Sequence, residues 1–203
     1  MRIFFVRHGE SEANVRDVFS NRGWKHPLTP AGLEQARWLG ERLANRGVAA
    51  VYTSPIRRAV ETARIVATGL KVPHLTEPAL AEYDVGDYED RGGAEGRRLQ
   101  AEIERRWDAG DFDAHMPGGE SCNDIRARFP PFITRVIEQA AARDAALVMV
   151  SHGGTLRYAL PMILTNVSPE FAVDHRLTYT ATVEAELHDG ALRCVRWGDE
   201  PMA

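Results

Sequence analysis

An α/β fold with a mostly parallel sheet is what this 203-residue chain predicts, and three observations predict it. Apolar runs of strand length recur at residues 2–7, 48–54 and 145–151. Each is followed, directly or after an irregular stretch, by a segment whose apolar residues return at helical spacing. No linker, internal repeat or low-complexity segment interrupts this alternation, which reads as one domain over residues 1–203. In such sheets ligands bind beyond the carboxyl ends of the strands.

The elements follow in order. Ile3, Phe4, Phe5 and Val6 make the first strand, and a polar, irregular stretch comes after it. LTPAGLEQARWLGERLANRG is a helix, with Thr29 as its cap, Pro30 in its first turn and Gly47 closing its end. Leu33, Ala36, Leu39, Gly40 and Leu43 fall on one face, and Glu34, Arg37, Glu41 and Arg42 largely on the other. VAAVYTS is the second strand and SPIRRAVETARIVATGL the second helix, opened by Pro55. Residues 72–76 form a short strand. A polar segment runs from about 84 to 120, with a helix near 95–109. GGESCNDIRARFPPFITRVIEQAAARD is helical in pattern, and Pro130 and Pro131 should kink or break it. AALVMVSHGG is the third apolar strand, followed by a helix over about 154–165. TATVEAELHDGALRCVRW alternates around Asp189-Gly190 as a hairpin does.

Bulk composition narrows the function. Apolar residues make up 44% and charged residues 27%, the values of an ordinary globular protein, and the net charge of -4 argues against a nucleic-acid binder. Cys122 and Cys194 are the only cysteines and form no CxxC, so neither a disulfide framework nor a zinc motif is expected. The apolar run at the start is too short for a secretory signal, and no segment approaches the length of a membrane span. A cytoplasmic protein with no membrane partner is the expectation. The edge strands and the C-terminal hairpin leave a homodimer open.

Three predicted strand ends each present a cation or an imidazole: Arg7-His8-Gly9, the TSPIRRA segment with Arg57 and Arg58, and Ser151-His152-Gly153-Gly154. LAEYDVGDYE adds carboxylates in an irregular segment. Two imidazoles, two or three guanidiniums and an acid beside helix N-termini suit a phosphoryl group, whose oxygens arginine forks bind in pairs. No P-loop, HExxH or other metal cage is present, so the protein itself must supply the positive charge and no cofactor is expected.

The segments RHGE, PLTPAGLEQA, TSPIRRAVETA, LAEYDVGDYE, PGGES and SHGG stand in the order and spacing of the histidine phosphatase superfamily, which includes the cofactor-dependent phosphoglycerate mutases. The resemblance runs from residue 2 to about 160. It implies a three-layer, phosphoglycerate mutase-like sandwich with a cap-like insertion near 84–120. His8 matches the histidine that attacks phosphorus, and a neutral imidazole is a competent nucleophile. Arg7 and Arg58 would disfavour its protonation by like-charge repulsion. Arg7, Arg58 and His152 match residues around the phosphate. Arg58, not Arg57, directly precedes the alanine of the family pattern. Asn14 matches a phosphate-contacting asparagine, and Ser20 falls near a second contact position. Gly153 could offer its backbone N–H to the same anion. Glu82 matches the acid that protonates the leaving alkoxide, for which burial or a phosphate neighbour must raise its pKa. Asp84 is the backup acid, and Glu10 is expected to hold arginines or a helix terminus instead.

Members of the superfamily that act as mutases follow the acid with Arg-His-Tyr-Gly, whereas this chain has Tyr83-Asp84-Val85-Gly86 and a shorter insertion. Both departures favour hydrolysis of a small-molecule phosphate ester over phosphoryl transfer between phosphoglycerates. Lys25 is a further departure, standing before PLT where relatives often carry an acid. Arginines 91, 97, 98, 105 and 106 alternate with glutamates, as on a solvated, salt-bridged helix, although a second anion site there is conceivable. A non-catalytic module that binds phosphorylated ligands is the alternative of another class. The presence of Arg7, His8, Arg58, Glu82 and His152 together speaks against it.

Overall fold

The computed structural model describes residues 1–140 and 145–202. Its elements are β1 (Arg2–Arg7), α1 (Glu12–Val15), α2 (Pro30–Leu43), β2 (Val48–Thr53), α3 (Arg57–Leu70), β3 (His74–Thr76), α4 (Ala94–Asp108), α5 (Cys122–Ala140), β4 (Ala146–Ser151), α6 (Gly153–Ile163), α7 (Pro169–Asp174), β5 (Thr182–His188), β6 (Ala191–Trp197) and β7 (Glu200–Pro201). Single 3-10 turns lie at Pro78–Leu80 and Gly86–Tyr88. The strands form a seven-stranded sheet in the order β3-β2-β4-β1-β5-β6-β7. The first four are parallel, as the alternating pattern predicts, and β5, β6 and β7 continue the sheet antiparallel from β1. The sheet is therefore mixed.

Strand alternation divides the core between two faces. Phe4 and Val6 of β1 pack with Val51, Val148 and Val150 against Leu39 and Leu43 of α2 and Ala63 and Val66 of α3. Ile3, Phe5 and Met149 face the other way, toward Ile125, Phe129 and Ile133 of α5 and Leu156 and Leu160 of α6, with Trp107 of α4 in the same cluster. Both faces of β1 are covered, which is why its apolar run is unbroken and not alternating. Among the described residues no helix is long and apolar enough to cross a membrane.

Two details differ from the sequence expectation. Helix α5 is not broken at Pro130 and Pro131 but continues through them. The carbonyls they leave without an intrahelical partner belong to Arg126 and Ala127, both exposed, while Phe129, Phe132 and Ile133 anchor the helix in the core. The end of that helical pattern, residues 141–144, lies outside the described residues. The short helices α1 and α7 arise in stretches that carry little apolar periodicity. The C-terminal hairpin forms as expected, with Asp189 and Gly190 both at positive φ (49° and 82°) in its turn.

The register of the parallel strands places the site. Arg7 pairs with Ser151 and Thr53 with Val150, so β1, β2 and β4 end side by side. The His8 amide donates to the Ser151 carbonyl at 3.0 Å, and the Ser54 amide to that of Val150 at 3.0 Å. Helix α2 then fixes the loop after β1. The Thr29 amide donates to the Glu10 carbonyl at 3.0 Å and its hydroxyl to the Glu10 carboxylate at 2.7 Å, while the same hydroxyl accepts from Gly32 at 3.0 Å and caps the helix. Glu10 thus holds a helix terminus. A Cβ at Gly32 would stand 2.0 Å from the Glu10 carbonyl oxygen, so only glycine lets the two backbones meet. Gly32→Ala is expected to cost about 2–3 kcal/mol. Urea unfolding checks this, and a loss below about 0.5 kcal/mol would contradict it.

Candidate active site

Arg58, in the first turn of α3, ties the strand ends together. Its Nε–H donates to His8 Nε2 at 2.8 Å, a terminal nitrogen reaches His152 Nδ1 at 3.0 Å, and the other donates to the Ser20 carbonyl. These contacts assign both imidazole tautomers. His8 Nδ1 lies 2.7 Å from the Gly9 carbonyl, which can only accept, so Nδ1 carries the proton and Nε2 the lone pair. His152 takes the arginine donor at Nδ1 and therefore donates from Nε2 to Ser54 Oγ at 2.7 Å. Both rings are neutral. Burial holds each well below the usual histidine value, and Arg58 adds to the effect in both. Burial likewise lowers Arg58 to about 10, which leaves it fully charged at neutral pH.

The shifts carry a stability prediction. Between the depressed folded pKa and the ordinary value of about 6.5, the unfolded chain binds protons at these imidazoles that the folded chain refuses. Stability is therefore fully present above about pH 6.5 and falls as the pH drops below it, by up to about 1.4 kcal/mol per pH unit for each histidine. Urea unfolding at pH 7.5 and 5.5 should show a larger acid loss in the wild type than in a His8→Gln/His152→Gln variant. Equal losses would count against it.

Around His8 lies a cavity of about 430 Å³, whose wall includes Arg7, Asn14, Ser20, Arg58, Glu82 and Gly153. One Arg7 terminal nitrogen donates to the Leu177 carbonyl at 2.7 Å, and its guanidinium lies 4.4 Å over the Tyr179 ring. Its Nε–H is buried without a partner. Asn14 Oδ1 accepts from the Ser11 amide and hydroxyl at 3.1 and 2.8 Å, which leaves the amide NH2 as the free end. Ser20 contributes the carbonyl that steadies Arg58.

Glu82 is anchored to the start of α6. Its carboxylate accepts from the Gly154 amide at 3.0 Å, the Thr155 amide at 2.6 Å and the Thr155 hydroxyl at 3.0 Å. A Cβ on Gly154 would stand 2.8 Å from that carboxylate and 2.5 Å from the Tyr83 ring, so the second glycine of SHGG makes room for the acid.

Not every candidate reaches the cavity. His152 is fully buried behind the wall, 5.0 Å from the His8 ring between centroids, and acts on the site through Arg58. Asp84 turns outward to pair with Arg22 and accept from Gly86. Arg57 faces away, bonded to Glu61 and the Trp24 carbonyl. Lys25 pairs with Asp90. Of the arginines between 91 and 106, only Arg97 lines the cavity, and Asp17 and Gln100 hold it.

Sequence reasoning missed the far wall. Gln100 donates to the Tyr83 hydroxyl at 2.6 Å, which donates to Glu104 at 2.9 Å; Glu104 accepts from Arg157 at 2.7 Å, and Arg157 reaches Asp108 at 3.3 Å. The signal was available in helical spacing. Residues 97, 100, 101 and 104 share one face of α4, and Arg157 lies one turn beyond Gly153 on α6. Among the described residues no group of three or more His, Cys, Asp or Glu is placed to hold a metal ion.

A 2,3-bisphosphoglycerate-dependent phosphoglycerate mutase of Azorhizobium caulinodans is 34% identical over 193 residues, covering 89% of each chain. One of the same description from Brucella canis is 35% identical over 178 residues, covering 83% of each. Among solved structures, the α-ribazole phosphatase of Shigella flexneri superposes with a TM-score of 0.80 at 26% identity, over 100% of this chain and 98% of the other. YhfR of Bacillus stearothermophilus shares the fold with a TM-score of 0.84 at 24% identity, over 98% and 97%. Residues 3–200 match the family described as histidine phosphatase superfamily (branch 1), and the chain belongs to that superfamily.

Proposed function

We propose that the protein hydrolyses small-molecule phosphate monoesters through a phosphohistidine on His8. The observation that carries this reading is the His8 tautomer. The Gly9 carbonyl holds the proton on Nδ1, so Nε2 keeps its lone pair, which accepts from the Arg58 Nε–H at 2.8 Å until a phosphoryl group takes that donor over. Nε2 attacks phosphorus as the P–O bond to the alcohol breaks, and Glu82 gives its proton to the departing oxygen. A water then attacks the phosphohistidine. Glu82 takes a proton from it, the P–N bond breaks, and inorganic phosphate leaves with His8 neutral again. Arg7 and Arg58 neutralise charge on the transferring group. The α6 amides hold the Glu82 carboxyl group in place on the cavity wall.

Hydrolysis is preferred over mutase chemistry because Tyr83, not an arginine, follows the acid, and its hydroxyl is spent on Gln100 and Glu104. Release of p-nitrophenol from p-nitrophenyl phosphate, with and without EDTA, tests the reading. Absence of release across pH 5–8 would overturn it. The phosphoglycerate mutase relatives favour a second reading, transfer between phosphoglycerates. That activity would appear as interconversion dependent on a bisphosphorylated primer and faster than phosphate release.

A further inference from the structure

The cavity wall holds five arginines, and four of them already have side-chain contacts. Arg7 is held by Leu177 and Tyr179, and Arg58 by the two histidines and Ser20. Arg97 is neutralised by Asp17, and Arg157 by Glu104 and Asp108. The fifth, Arg176, lies in the segment between α7 and β5, is exposed, and has no hydrogen bond or ion pair among the described residues.

Its main chain is pinned on both sides. The His175 carbonyl accepts from the Trp197 indole at 2.7 Å, and the His175 ring stacks on Phe171 with centroids 3.9 Å apart. The Leu177 carbonyl is the acceptor for Arg7. Arg176 thus lines the His8 cavity, and also the neighbouring hollow that holds Asp199 and Glu200, on a backbone clamped to Arg7 and with no ion pair to its guanidinium among the described residues.

We propose that Arg176 reads a second anionic group on the alcohol half of the substrate, so that the preferred esters carry a carboxylate or a further phosphoryl group beyond the reacting one. This rests on the His8 cavity being a phosphoryl-transfer site. The cation comes from the segment before β5 and not from the arginines of α4, which are already paired or turned away from the cavity. It distinguishes substrates by what surrounds the phosphate, a property the reacting groups themselves do not read.

Binding of non-hydrolysable ligands tests this independently of turnover. Phosphonopropionate and propylphosphonate share a phosphonate on a short chain and differ in the carboxylate. Titration calorimetry on the wild type should show the carboxylate-bearing ligand binding about tenfold more tightly, the scale of one charge-assisted hydrogen bond at an exposed site. Arg176→Gln should bind both ligands equally, with wild-type affinity for propylphosphonate, and Arg176→Lys should keep most of the preference. A propane bisphosphonate arm tells whether the second group is better a carboxylate or a phosphoryl. A wild type without preference, or a preference that survives in Arg176→Gln, overturns the proposal. A wild type that binds propylphosphonate but not selectively overturns only the role of Arg176, whereas one that binds neither phosphonate overturns the phosphoryl-transfer reading as well.

Discussion

Replacing His8 with alanine is expected to lower turnover of phosphate monoesters by about four orders of magnitude or more, because the reaction then loses its nucleophile outright. The geometry gives no substitute. Among the described residues His152 is the other imidazole beside His8, and it is fully buried, with one nitrogen on Arg58 and the other on Ser54. Incubation with a radiolabelled phosphate ester and rapid quenching should trap label on the wild type that is stable in base and lost in acid. His8→Ala should carry none. Label persisting in that variant, or a rate within about tenfold of wild type, would remove His8 from the mechanism.

The second large effect belongs to Glu82 and depends on the leaving group. Glu82→Gln keeps an oxygen to accept from Gly154 and Thr155 but has no proton to deliver. An alkyl phosphate, whose alkoxide leaves only when protonated, should be hydrolysed about 100- to 10,000-fold more slowly. Phosphorylation of His8 by p-nitrophenyl phosphate should change by less than about tenfold, since nitrophenolate needs no proton. Single-turnover measurements on both esters provide the comparison. Equal losses on the two would mean that Glu82 positions the site and does not donate the proton.

Much of this site was legible in the sequence. The apolar strand ending at Arg7-His8, the strand ending at Ser151-His152 and the arginines after VYTS announced a shared edge. The register of three parallel strands brings them there. What pattern could not show was contact between segments far apart in sequence. Ser54 as the partner of His152, and Gly154 and Thr155 as donors to Glu82, depend on how β2, β4 and the loop after β3 converge. The far wall was missed for a related reason: Gln100 and Glu104 look like solvated helix residues until Tyr83 and Arg157 are seen across from them. Pro130 and Pro131 misled because the helix-breaking rule concerns lost hydrogen bonds, and here the bonds lost are on the exposed side of a well-anchored helix.

The way Arg58 spends its donors has a consequence for the end of the catalytic cycle. Its guanidinium spends three of its five N–H donors on His8, His152 and the Ser20 carbonyl, so an incoming phosphate meets the two that remain but has to displace His8 to take the Nε–H. Such an exchange is worth only the small difference between two partners, about 1 kcal/mol per bond and not the full strength of a charge-assisted contact. The exchanged bond therefore adds little to the hold on the free anion released by hydrolysis, whereas the spare Arg58 donors, the unpartnered Arg7 Nε–H and the free Asn14 amide add new ones. Inorganic phosphate should therefore be held chiefly by these free donors, and its strength as a product inhibitor reports on them.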